Sequence, residues 1–117
     1  MAFLGVSDLD RAERFYGETL GLDLDDQRPF SLVAKVGATS LRITLVEQVH
    51  AAPYTVLGWN VPDIEATVDL LTLRGVSFNR YEDFEQDARG IWTAPSGARV
   101  AWFLDPDGNN LSVTQLS

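Results

Sequence analysis

Two hydrophobic periods alternate along the chain, and the alternation is written twice. Residues 2–6 read as a strand, with Leu4 and Val6 as its core-facing set. From residue 8 the apolar positions switch to helical spacing, with Leu9, Ala12, Phe15, Tyr16 and Leu20 along one stripe, which predicts a helix over 8–19. The same phrase returns later. Val6-Ser7-Asp8-Leu9-Asp10-Arg11-Ala12 is answered by Val61-Pro62-Asp63-Ile64-Glu65-Ala66-Thr67, and Ile64, Val68 and Leu71 form the inward stripe of a second helix over 63–74. Asp8 and Asp63 stand where a carboxylate can accept a bond from the free N–H groups of a first helical turn. Gly21 and Gly75 stand just past the two helix ends, where a left-handed backbone is needed.

The remaining apolar runs complete each copy. Strands are expected at 22–27, 30–36 and 39–47, with Gly37-Ala38 as a tight turn, so the first unit reads βαβββ. After a break at Val49-His50-Ala51-Ala52-Pro53, strands at 54–61, 77–80, 98–104 and 110–115 surround the second helix. Ser96-Gly97 and Asp105-Pro106-Asp107-Gly108-Asn109 supply turns. Only 82–97 lacks a counterpart in the first half. It carries Gly90-Ile91-Trp92-Thr93 in an otherwise polar stretch, so it is expected to fold over something, either as a lid or as a dimer contact.

Composition narrows the chemistry. At 117 residues and 45% hydrophobic content the chain fits one domain able to bury a core. The absence of cysteine removes disulfides, thiolate catalysis and zinc ribbons, and fits a reducing cytoplasm. Met1-Ala2-Phe3-Leu4-Gly5 lacks the basic-then-apolar order of an export signal, and no run approaches a membrane span, so no membrane partner is expected. A net charge of −8 argues against a nucleic-acid partner, which requires a basic face. Asp23, Asp25 and Asp26, and the run Glu82-Asp83-Phe84-Glu85-Gln86-Asp87, read mostly as solvated turns.

With the repeat, both capped helices, Phe15-Tyr16, Leu20-Gly21-Leu22 and Ala101-Trp102-Phe103-Leu104 before the aspartate–proline–aspartate–glycine turn in place, the chain resembles the glyoxalase, bleomycin-resistance and extradiol dioxygenase (vicinal oxygen chelate) superfamily over essentially its whole length. The resemblance implies an α+β fold in which two βαβββ units, 1–50 and 53–117, build one domain over 1–117. Their strands form a cupped, barrel-like mixed sheet with helices on the outer face, usually in a homodimer. Members with chemistry hold a divalent metal through inward His or Glu side chains. Here the corresponding positions fall at Met1, at Arg42 or Thr44, at Val56 and at Ser112, so no metal and no cofactor are expected.

Strand alternation assigns Leu41, Ile43 and Leu45, Leu57, Trp59 and Val61, and Leu111 and Val113 to the helix-packed face. The opposite parity gives the candidate ligand-binding set: Phe3, Arg42, Thr44, Val56, Asn60, Ser112 and Thr114, with Gly58 leaving room for an approaching group, Trp92 as a cover and either Trp102 or Phe103 on the wall. The leading expectation is metal-free binding of a small organic molecule, drug or metabolite, in the sheet cavity. The acidic charge and aromatic rings suit a planar cation, whereas Arg42 suits an anion, and both stay open. The alternative is a metal-dependent lyase, isomerase or dioxygenase, which would need Glu47 and His50 to turn inward. A metal-free enzyme using Arg42 with Tyr54 or Tyr81 is a third reading.

Overall fold

The structure, a computed structural model, describes residues 2–36, 39–49 and 54–116. The chain divides into two compact units, Met1–Ala51 and Ala52–Ser117. The first contains β1 (Ala2–Val6), α1 (Leu9–Ala12) continued by a π-helical segment (Glu13–Thr19), β2 (Asp23–Gln27), β3 (Ser31–Val36) and β4 (Thr39–Leu45). The second contains β5 (Leu57–Asn60), α2 (Ile64–Leu73), β6 (Trp92–Thr93), β7 (Arg99–Leu104) and β8 (Asn110–Gln115). Both have one topology: the sheet orders are β1-β4-β3-β2 and β5-β8-β7-β6, with the first strand parallel to the last and the other pairs antiparallel. The expected βαβββ duplication is present.

Both helices start and stop as their end residues dictate. The Asp8 carboxylate accepts from Arg11 N and the Asp63 carboxylate from Ala66 N, each at 3.1 Å. The bond from Arg11 N is the leading reason that the Asp8 carboxyl titrates below its ordinary range. Gly21 and Gly75 have φ of 75° and 94°. At the end of α2, Val76 N reaches Leu71 O at 3.0 Å and Gly75 N reaches Thr72 O at 3.1 Å, the paired closure that a left-handed glycine permits. The first helix ends through a wider loop, with Leu20 N bonded to Phe15 O. In that segment the adjacent Phe15 and Tyr16 rings meet edge to face, and Tyr16 is fully buried.

Each sheet buries one parity of its strands. Leu4, Val6, Leu32, Ala34, Leu41 and Ile43 are buried in the first unit with Leu9, Ala12 and Tyr16; Ala101, Phe103, Leu111 and Val113 are buried in the second with Ile64, Val68 and Leu71. Each large side chain so buried contributes roughly 1.5–3 kcal/mol of transfer free energy. Leu45, assigned to the core by alternation, is 44% exposed at the end of β4.

The cupped, barrel-like sheet is not formed. Among the described residues there are two separate four-stranded sheets, neither of which closes or curls strongly. Closure requires pairable edges, and these are poor: β2 reads Asp23-Leu24-Asp25-Asp26-Gln27, a charged edge, and β6 is two residues long. The strand expected at 77–80 is also replaced. Phe78 makes only an isolated bridge to Phe103, and the edge position beside β7 is taken by Trp92–Thr93 from the inserted segment. The Gln86 side chain explains the departure, since it donates to Asn79 O at 2.9 Å and Gly90 O at 2.8 Å and accepts from Tyr81 N at 2.8 Å. Backbone groups that a ladder would pair are thereby satisfied by one side chain, and the chain can leave the sheet. No helix among the described residues is long and apolar enough to cross a membrane.

Candidate functional site

Opposite its helix-packed side, the second sheet presents two rows set by register. Gly58, Ser112 and Trp102 lie across one row, and Asn60, Thr114, Val100 and Trp92 across the next. The segment after α2 runs past β7, held by Asn79 N to Trp102 O at 2.7 Å, and turns at Tyr81–Phe84. Phe84 folds back onto this face. Its ring lies nearly parallel to Trp102 (5.4 Å between centroids, 11°) and 4.8 Å from Trp92 at 34°. Tyr81 stands edge-on to both Trp102 (5.4 Å, 88°) and Phe84 (6.0 Å, 82°). Such pairs contribute about 0.5–1.5 kcal/mol each beyond burial, so four rings from three separate stretches hold one another in place.

Beside this cluster a cleft of about 260 Å³ is lined by Tyr54, Thr55, Tyr81, Phe84, Trp102 and Asn110. Its polar rim is a short chain of bonds. Thr55 Oγ1 donates to Asn110 Oδ1, and the Asn110 and Asn79 amides both donate to the Tyr81 hydroxyl oxygen, all at 3.2 Å. Glu82, Asp83 and Glu85 flank Phe84 and are exposed, so the loop over the cleft is negatively charged.

The segment bearing Phe84 is fastened to α2 on its other side. Arg89 donates from Nε to Asp69 Oδ1 at 2.9 Å, from Nη2 to Asp69 Oδ2 at 3.2 Å and from Nη1 to Glu65 Oε1 at 3.2 Å. The hydrogen bond from Arg89 holds the Asp69 carboxyl below its ordinary pKa, and the same pairing raises that of Arg89.

The residues singled out in the sequence divide between the units. Trp92, Trp102, Asn60, Ser112 and Thr114 share one face of the second sheet. Val56 precedes β5, 40% exposed, with its N–H on Asn110 O. Phe103 is fully buried, so of the two alternatives it is Trp102 that faces the cleft. The space expected at Gly58 is taken by Ser112, since a Cβ there would lie 2.6 Å from Ser112 Oγ. Phe3, Arg42 and Thr44 lie on the first sheet, where Phe3 is 70% exposed and pairs in register with Arg42, and Thr44 pairs with Gly5 and Ser31. Arg42 Nη1 donates to Ser31 Oγ at 3.1 Å, and among the described residues it forms no ion pair with a carboxylate. Met1 and His50 lie outside the described residues, as does the turn at Gly37-Ala38.

Phe84 was missed as a site residue because it is embedded in an acidic run. The available signal was its break in polarity: one phenylalanine amid Glu82, Asp83, Glu85 and Asp87 has no reason to be there unless it packs.

Residues 1–113 match the family model described as Glyoxalase/Bleomycin resistance protein/Dioxygenase superfamily. The chain belongs to this superfamily. Solved glyoxalase-like structures agree with it. A superfamily member from Sphaerobacter thermophilus DSM 20745 is 26% identical with a TM-score of 0.74, covering 97% of this chain and 93% of its own. TnmS3, an antibiotic binding protein from Streptomyces sp. CB03234, is 29% identical with a TM-score of 0.71, covering 98% and 92%. A glyoxalase family protein from Bacillus anthracis, 17% identical with a TM-score of 0.75 over 100% and 94%, shares the fold. No curated protein matches the chain significantly.

The superfamily's divalent metal does not suit the side chains present at its expected positions. Arg42 and Thr44 on β4, Val56 before β5 and Ser112 on β8 offer a cation, two hydroxyls and a hydrocarbon, and among the described residues no group of three His, Asp or Glu is placed to hold an ion.

Proposed function

We propose that the chain binds a small, planar organic molecule against the aromatic face of its second sheet and sequesters it without a chemical step. The observation that carries this reading is the cleft walled by Trp102, Phe84 and Tyr81, whose flat rings are fixed by one another and open beside a polar rim. A flat ligand there gains stacking area without ordering flexible side chains. The exposed carboxylates of Glu82, Asp83 and Glu85 favour a ligand that carries positive charge. The likeness to an antibiotic binding protein supports the same class of activity.

Calorimetric titration with 2-naphthylmethylammonium tests it. The reading requires saturable binding to the native chain that is lost in Trp102→Leu and retained in Arg42→Met; binding that survives Trp102→Leu unchanged removes the cleft from consideration. A second reading rests on Arg42, which holds a hydroxyl partner and, among the described residues, pairs with no carboxylate. It places an anionic ligand on the first sheet, and predicts that 2-naphthoate binds the native chain and not Arg42→Met.

A further inference from the structure

The polar rim of the cleft has a fixed hydrogen-bonding sense. Thr55 Oγ1 donates to Asn110 Oδ1 at 3.2 Å, which commits that amide oxygen as acceptor and turns Nδ2 toward Tyr81. Asn110 Nδ2 and Asn79 Nδ2 then both donate to the Tyr81 hydroxyl oxygen, each at 3.2 Å. Asn79 is further fixed by its backbone, whose N–H is on Trp102 O and whose carbonyl accepts from Gln86. A phenol oxygen has two acceptor lone pairs and one hydrogen. With both lone pairs taken, the bond that remains to Tyr81 is a donated one. Each N–H bond it accepts also draws electron density from the oxygen and strengthens the bond its own hydrogen makes.

We propose that Tyr81 selects, at the ligand site inferred above, for planar molecules bearing a hydrogen-bond acceptor at the ring edge that meets the phenol: a carbonyl oxygen or a pyridine-type nitrogen. The proposal rests on the reading of the cleft as the ligand site and deepens it by naming the chemistry of the ligand's edge. Trp102 and Phe84 supply a sequence-tolerant flat surface that accepts any ring of suitable size. Tyr81 supplies direction. A ligand that presents only N–H at this edge meets the phenol hydrogen with no acceptor to offer it, and one that presents hydrocarbon strands that hydrogen as well.

Two probes of like shape and equal charge separate these contributions: (coumarin-7-yl)methylammonium, which carries a lactone carbonyl, and 2-naphthylmethylammonium, which carries none. Calorimetric titration of the full chain should show the coumarin binding more tightly. Tyr81→Phe should weaken the coumarin about 10-fold and the naphthyl probe less than about 2-fold, the scale of one hydrogen bond in a partly dry site. Asn110→Asp provides the second variant, because a carboxylate there captures the phenol hydrogen. The ratio of the two affinities should fall by a similar factor, and adding Tyr81→Phe to it should change that ratio no further. Equal losses for both probes in Tyr81→Phe, or no loss for either, would overturn the role of Tyr81 and leave the cleft reading standing. Failure of both probes to bind the native chain would overturn both.

Discussion

The two units of this chain share one frame and differ in what lies on it. Both sheets run first-last-middle-second, both helices are capped by an aspartate that accepts from the third residue onward, and both end at a glycine with positive φ. The first unit connects its helix to β2 within a few residues and carries Phe3, Arg42, Val33 and Asp25 across one row of the sheet. The second inserts the stretch from Ser77 to Ile91 before its edge strand, and uses it to bring Tyr81 and Phe84 onto Trp92 and Trp102. A duplicated frame therefore sets where strands lie, and an insertion with its own internal bonds determines which of them acquires an aromatic cleft.

The comparison can be broken from the core outward. Tyr16→Ala in the first unit and Phe103→Ala in the second remove fully buried rings from equivalent cores, and each should cost about 3–5 kcal/mol in denaturant unfolding; a large inequality would mean that the frames are not energetically alike. Gln86→Leu acts on the second unit alone. It leaves Tyr81 N, Asn79 O and Gly90 O without their partner, and should cost about 2–3 kcal/mol while weakening 2-naphthylmethylammonium at least 10-fold. Unchanged probe affinity would show that Phe84 and Tyr81 need no such support.

Cap removal should be gentler and symmetric. Asp8→Ala and Asp63→Ala should each lower the melting temperature by a few degrees, about the scale of a lost helix cap. The smallest effect concerns acid. Asp26, hydrogen-bonded first by Arg28 N, and Asp69, hydrogen-bonded by Arg89, both have carboxyls lowered from the ordinary 3.8. A depressed folded value means stability that is present above the unfolded value and lost as pH falls through the folded one. Thermal melts of Asp26→Asn and Asp69→Asn should thus differ from native at neutral pH and converge with it in strong acid. A difference that widens on acidification would reverse the assignment.

Much of the frame was legible because its determinants are local. Asp8, Asp63, Gly21 and Gly75 act on backbone groups within a few residues, and alternation at Leu41, Ile43, Leu111 and Val113 marks the buried face wherever the strand lies. The edge of the second sheet was not legible, because residues 77–80 have a strand's composition and leave the ladder only through the Gln86 side chain, which bonds Tyr81 and Asn79 from five and seven residues away. The barrel expectation failed at the charged β2 and the two-residue β6, edges unsuited to closing a sheet. In the candidate site, the sequence left Trp102 and Phe103 as alternatives and offered Trp92 as a cover; the register puts both tryptophans on one face of the second sheet, while Phe84 was hidden among carboxylates. Tyr54 and Tyr81, the inward tyrosines of the third reading, both line the cleft, and the amides that surround the Tyr81 oxygen, which the sequence did not single out, come from Asn79 and Asn110.

The three indoles provide an internal control for ligand binding at the aromatic cleft. Trp92 and Trp102 belong to the aromatic cluster, whereas Trp59 lies on the opposite parity of the same sheet, in register with Val113. In a two-dimensional NMR titration with 2-naphthylmethylammonium, the Trp92 and Trp102 indole N–H signals should shift saturably with Trp59 left in place. Saturation accompanied by movement of Trp59 alone, or of amides around Arg42 with both cluster indoles unmoved, would contradict binding at the cleft.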